Sequence, residues 1–274
     1  MHAGQSGNMD RMNPNQGNPG KPVRKVKKAA GKARKAGSGG RRLDDLMGGG
    51  FPFRTVSVLQ GPAFIGKDVL LTQFIAEGIR FGIPSLIVLT HYTTSKFRKR
   101  IVEMDPKLED RERAGLVSYV DCHAKTVGLM GKNPFALYLK GVGDLEALSK
   151  AIERFESTYS ENYFYHRVIF DSLSSILRTH GLNRTIDFVN AISTKIKAYN
   201  GIAIFDLAGG IHKQEEISAI ENSVDGSLTL KEEMGRYFIM VKGLEGVKSN
   251  KWVEYSFSDR GFDIRGSYTL SYIK

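Results

Sequence analysis

The stretch Gly61-Pro62-Ala63-Phe64-Ile65-Gly66-Lys67-Asp68 constrains this chain more than any other. It fits the spacing G-x-x-x-x-G-K and lies between two segments of different period. Residues 55–60 (TVSVLQ) read as a short buried strand, and residues 68–81 carry apolar positions at helical spacing. A strand that passes through a glycine-bounded loop directly into a helix aims backbone N–H groups and the helix N-terminus at one point, which attracts phosphate oxygens. Lys67 adds an ammonium for β- and γ-phosphates. The last position departs from the pattern, because Asp68 stands where a Ser or Thr hydroxyl ligates magnesium. Unscreened, its carboxylate repels a triphosphate by about 1 to 4 kcal/mol per charge pair at roughly 4 Å. With magnesium bound, the same carboxylate is a suitable hard ligand. The expected ligand is ATP or ADP with Mg, held by Gly61, Pro62, Ala63, Phe64, Ile65, Gly66, Lys67, Asp68 and Val69.

The loop opens an alternating pattern. Apolar runs at 85–90, 116–121, 167–171 and 202–207 read as strands, and helical periodicity fills 95–104, 144–159 and 183–199. Alternation on this scale predicts a parallel sheet flanked by helices. From about residue 223 the text turns β-like, with an Asp225-Gly226 turn signal and candidate strands at 224–230, 236–242, 252–257 and 262–265. These predict an antiparallel extension of the sheet.

Charge divides the chain. The 274 residues carry a formal net charge of +11, yet residues 1–42 hold 11 Lys and Arg against one acid, Asp10. The remainder is close to neutral. Residues 1–40 are nearly free of large apolar side chains and read as a disordered basic tail, with 41–274 as one domain. The tail offers contact with nucleic acid or an anionic surface through counterion release. A second basic stretch, Ser95-Lys96-Phe97-Arg98-Lys99-Arg100, falls on one short helix. A single cysteine, Cys122, excludes an internal disulfide framework. No apolar run approaches the roughly 20 residues of a membrane span, and no secretory signal pattern is present, so a cytoplasmic location is expected.

With the loop placed, residues 42–265 resemble the KaiC-like branch of the RecA superfamily of P-loop ATPases. The segment Leu43-Asp44-Asp45-Leu46-Met47-Gly48-Gly49-Gly50-Phe51-Pro52 is similar to the family's Leu-Asp-x-Leu-x-Gly-Gly-Gly-x-Pro entry. Gly66-Lys67-Asp68-Val69-Leu70-Leu71-Thr72-Gln73-Phe74 is similar to Gly-Lys-Thr-Thr-Leu-x-x-Gln-Phe, with both threonines replaced. Arg167-Val168-Ile169-Phe170-Asp171-Ser172-Leu173-Ser174 resembles the Walker B strand, which implies that Asp171 holds magnesium. Phe257-Ser258-Asp259-Arg260-Gly261-Phe262 resembles the family's last strands. The resemblance implies a RecA-like α/β fold and assembly with other copies. It also places a water-activating Glu pair after the second core strand, where this chain has Thr90 and His91. The Lys and Arg that reach a neighbour's nucleotide correspond to Lys242 and Leu244.

Substitutions at three places, Asp68 and Val69, Thr90 and His91, and Leu244, therefore bear on catalysis. The expected activity is nucleotide binding in a regulatory or scaffold protein, with a protein partner or other copies of itself and with weak or absent hydrolysis. A slow Mg-dependent ATPase, with Asp68 and Asp171 on the metal and His91 as a weak base, is one alternative. A nucleic-acid-binding module working through the tail and the Lys96-to-Arg100 helix is another.

Overall fold

The computed structural model describes residues 35–266. The entry segment comprises β1 (Lys35–Ala36), α1 (Arg41–Leu46) and β2 (Phe51–Pro52). The first crossover runs β3 (Val56–Gly61), α2 (Lys67–Arg80), β4 (Ser85–Leu89), α3 (Thr94–Met104), α4 (Leu108–Arg113) and β5 (Val117–Asp121). Next come β6 (Ala136–Tyr138), α5 (Leu145–Asn162), β7 (His166–Asp171), α6 (Leu173–Ala198), β8 (Gly201–Ala208) and α7 (Gln214–Glu221). The chain closes on β9 (Gly226–Glu233), β10 (Arg236–Lys242), β11 (Val253–Ser258) and β12 (Gly261–Ile264).

Ten strands form one sheet in the order β12-β11-β10-β9-β3-β8-β7-β4-β5-β6. From β9 through β6 every neighbouring pair is parallel, and β9 to β12 pair antiparallel. The central strands are mostly apolar because both faces are covered. Val58, Leu86, Val88, Val168, Phe170 and Phe205 pack on the α5 and α6 side, whereas Leu59, Ile87, Leu89, Ile169 and Ile204 pack on the α2 and α3 side. Successive residues therefore alternate between two cores, as strand geometry requires. Each large apolar side chain buried this way contributes about 1.5 to 3 kcal/mol.

Two expectations are adjusted. The tail boundary at residue 40 lies too late, because Lys35 and Ala36 pair with Pro52 and Phe51, and Ser38 is fully buried. The reason is Arg167, a cation inside an apolar strand. Its guanidinium lies 4.5 Å over the Phe74 ring and donates to Phe74 O and, at 2.9 Å, to Gly37 O. Gly78 makes room, since a β-carbon there would stand 2.6 Å from Arg167 Cδ. The expected tail residues 1–34 lie outside the described residues. The helix expected at 183–199 is the second part of α6, after a break at Gly181, where φ is 74° and ψ 176°; the first part, from Leu173, is additional to the expectation. Among the described residues no helix is long and apolar enough to cross a membrane.

Candidate functional site

The phosphate loop is the turn between β3 and α2, and it is held from below. The Tyr255 hydroxyl donates to Ile65 O at 2.6 Å, and Gly209 N donates to Gly61 O at 2.7 Å. Gly66 has φ +84°, and a β-carbon there would sit 2.5 Å from the Phe257 ring. Only glycine fits this conformation and this contact. Pro62, Ala63 and Phe64 are exposed, and Phe64, with φ 64°, is 96% exposed. No side chain caps the α2 N-terminus, so its first-turn N–H groups are open to an anion. The loop residues named from the sequence thus lie together in the turn after β3 and the first turn of α2.

Lys67 does not hang free. Its Nζ meets Asp206 Oδ1 at 2.8 Å, off the line of a good hydrogen bond, and donates to Leu207 O at 3.2 Å. Asp206 and Asp171 follow the paired residues Phe205 and Phe170 on adjacent parallel strands. Both phenylalanines enter the α5 and α6 core, so strand alternation turns both aspartates to the Lys67 side. Asp171 is 4% exposed and its Oδ2 has no hydrogen-bond partner. Burial, then the charge of Asp206, pushes its carboxyl up to about 7, against the opposing pull of Arg100 and Lys67. A buried carboxylate oxygen without a partner fits a magnesium ligand. Asp171 is the residue that would hold the ion, and the ion would shield phosphate charge.

Asp68 meets another fate. Its Oδ2 pairs with Arg100 Nη2 at 3.0 Å, and the Arg100 guanidinium lies 4.6 Å over the Tyr92 ring. The charged groups acting on Asp171 are Asp206, Arg100 and Lys67. Val69, half-buried, follows on the first turn of α2 and adds no polar group.

The end of β4 carries no carboxylate. Thr90 is buried, and its hydroxyl donates to Ser172 O at 2.8 Å and accepts from Ser172 N at 2.6 Å. It ties β4 to β7 and leaves no group free for chemistry. His91 is exposed, with its ring edge on Tyr92 and 6.4 Å from the His123 ring. Burial, followed by the His123 and Lys96 charges, lowers its pKa, which keeps the imidazole neutral near pH 7. Leu244 is 5% exposed and belongs to the core, packed against Gly226. Lys242 is exposed.

The basic helix carries less free charge than its sequence suggests. Arg98 forks onto Glu112 at 2.7 and 2.6 Å, Arg100 is engaged by Asp68, and only Lys96 and Lys99 form no ion pair among the described residues. Asp206 was not singled out from the sequence. Its signal was available: an acid one position from the end of an otherwise apolar strand.

The family model described as "ATPase: KaiC" matches residues 37–264, nearly all of the described fold. A UPF0273 protein of Methanopyrus kandleri is 25% identical over 182 residues, covering 62% of this chain and 71% of that protein. The circadian clock oscillator protein KaiC of Rippkaea orientalis is 23% identical over 240 residues, covering 84% of this chain and 42% of its own length. This chain therefore spans less than half of that relative. A crystal structure of a KaiC-like protein from the hyperthermophilic archaeon Pyrococcus horikoshii OT3 superposes with a TM-score of 0.67 at 20% identity, over 86% of this chain and all of that one. Helix α1, β2, the phosphate loop, the Walker B-like strand and the antiparallel extension all fall inside the matched span, and the chain belongs to the KaiC family of ATPases, whose domain implies nucleotide binding.

Proposed function

We propose that this protein binds ATP or ADP with magnesium in the cradle between Gly61 and Val69, and that occupancy rather than turnover is its output. The observation that carries the reading is the end of β4. Thr90 spends its hydroxyl on Ser172, His91 is the titratable residue that follows it in the chain, and neither of these two positions carries the carboxylate expected of a water-activating acid. A positioned base contributes about 10² to 10⁴ in rate, so its loss leaves binding intact and hydrolysis weak or absent. The protein then acts as a cytoplasmic regulator or scaffold whose affinity for a partner, or for other copies of itself, differs between its nucleotide states. Assembly through Lys242 proceeds without a second cation, because Leu244 faces the core.

The test is a titration of labelled ATP, ADP and GTP with and without Mg²⁺, with phosphate release followed in the same samples. Saturable binding that Lys67→Ala abolishes, without multiple turnover, is expected. Sustained phosphate release that disappears in Lys67→Ala overturns the reading in favour of a slow ATPase. The neutral His91 ring supports that second reading, since it is able to accept a proton. The nucleic-acid alternative has little support on α3, where Glu112 and Asp68 neutralise two of the four cations.

A further inference from the structure

We propose that Asp206 has taken over the work of the missing hydroxyl at position 68: with Asp171 it forms a two-carboxylate site for the nucleotide's divalent cation, and without the cation it restrains Lys67. The inference rests on the nucleotide-binding reading and specifies how the site tells metal-nucleotide from nucleotide alone.

Three observations converge. Asp206 and Asp171 leave adjacent strands at matching registers and turn to the same face. Asp171 carries a buried, unpartnered Oδ2, and Asp206 Oδ1 accepts no hydrogen bond and is met only by the Lys67 ion pair. The cation in direct contact with the pair, Lys67, sits 2.8 Å from Asp206 Oδ1 and is the residue a phosphate loop needs for its ligand. Lys67 cannot neutralise two carboxylates and a polyphosphate together. If phosphate draws Lys67 away, Asp206 and Asp171 face an anion with no counter-charge but that of Arg100, which is already paired with Asp68. A small hard cation that accepts one or two carboxylates together with phosphate oxygens resolves the conflict. Asp68, the carboxylate the loop pattern nominates, is held by Arg100 at 3.0 Å.

The test measures equilibrium binding of ADP and ATP in Mg²⁺ and in EDTA for the full chain, Asp206→Asn, Asp206→Glu and Asp68→Asn. Asp206→Asn is expected to weaken Mg·nucleotide binding roughly 10- to 100-fold and to tighten binding in EDTA, because Lys67 is then free. Asp206→Glu, which keeps the carboxylate, retains magnesium dependence. Asp68→Asn shifts magnesium dependence by no more than about threefold. The inference is overturned if Asp206→Asn changes affinity equally in both conditions, or if Asp68→Asn removes the magnesium dependence. A different result sinks the underlying reading: no nucleotide bound by the unmodified chain in either condition. Electron paramagnetic resonance of Mn²⁺ with ADP supplies a readout independent of nucleotide affinity, and loss of the bound-Mn²⁺ signal in Asp206→Asn alone is expected.

Discussion

Helix α3 presents two arginines to two different kinds of surroundings. Arg98 and Arg100 are two residues apart, hence about 200° apart around the helix, so one faces α4 and the other α2. Arg98 enters a closed cluster: its guanidinium forks onto both Glu112 oxygens, and the Tyr119 hydroxyl donates to the same carboxylate at 2.8 Å. Burial and the Glu112 charge push the Tyr119 hydroxyl upward, so it remains a donor. Arg100 enters an open cluster, with one contact to Asp68 and a buried Nη1 lacking a partner. Beyond it lie Lys67, Asp206 and Asp171, where the carboxylate oxygens outnumber the donors. Satisfied charge holds the fold together, whereas unsatisfied charge is kept for something that arrives.

The largest expected effect breaks the closed cluster. Arg98→Ala leaves the Glu112 carboxylate, whose side chain is fully buried, without its counter-ion, and removing one partner of such a pair costs about 3 to 5 kcal/mol. Urea unfolding should show this loss, while nucleotide affinity measured in the folded range stays unchanged. A stability loss under about 1 kcal/mol would show that the fork is ornamental and that the distinction between the clusters is wrong.

Next in size is the loop itself. Gly66→Ala places a methyl 2.5 Å from the Phe257 ring at a φ of +84°, and strain of this kind costs of order 1 to 3 kcal/mol. Unlike Arg98→Ala, it should also lower nucleotide affinity, because the cradle must open to admit the methyl. Pairing Gly66→Ala with Phe257→Ala should recover part of the stability, as read by thermal unfolding, if the ring contact is a cause.

Most of the architecture was legible because it is periodic. The apolar runs that became β3, β4, β7 and β8 and the helical stripe of α2 need no knowledge of what touches them. The elements that escaped depend on partners distant in sequence. Residues 36–40 read as the end of the disordered basic tail, yet Arg167, far along the chain, orders them by donating to Gly37. Leu244 read as a lost interface charge, but its side chain fills space over Gly226. The site shows the same division. Lys67 and Asp171 stood in recognisable motifs, whereas Asp206, near the C-terminal end of β8, shares its pattern of an acid after an apolar run with Asp121, the last residue of β5. Asp121 is consumed by hydrogen bonds from Thr94, His123 and Ala124, and Asp206 is not. Only the count of donors separates the structural aspartate from the functional one, and that count is set in three dimensions.

A pH titration sharpens the comparison further. Asp171 keeps its proton in the folded state up to about 7, whereas an unfolded aspartate loses it near its ordinary value of 3.8. Between those values the folded state binds the extra proton, so this group's contribution to stability is present at low pH and is lost as pH rises through about 7. Metal binding needs the ionised carboxylate and runs the other way, tightening by about fivefold from pH 6 to pH 7 and levelling above. Opposite slopes for unliganded stability and Mg·ADP affinity are expected, and Asp171→Asn should flatten both. Parallel slopes would mean that other groups dominate the site.

The smallest effect is expected at Arg100, and it separates the two arginines most directly. Its side chain is 27% exposed and that of Asp68 is 38% exposed, so the pair is partly screened and contributes at most about 1 kcal/mol to folding. Arg100→Ala should therefore barely move the unfolding midpoint, in contrast to Arg98→Ala two positions earlier. It should still weaken nucleotide binding in EDTA about fivefold, because it exposes the phosphates to the Asp68 charge, a repulsion of about 1 kcal/mol at roughly 4 Å in water. Asp68→Asn in the same chain should restore that affinity, and a double-mutant cycle isolates the coupling. If the second substitution recovers nothing, Arg100 touches the nucleotide directly, and the open cluster holds one more ligand-facing cation than the Asp68 pair reveals.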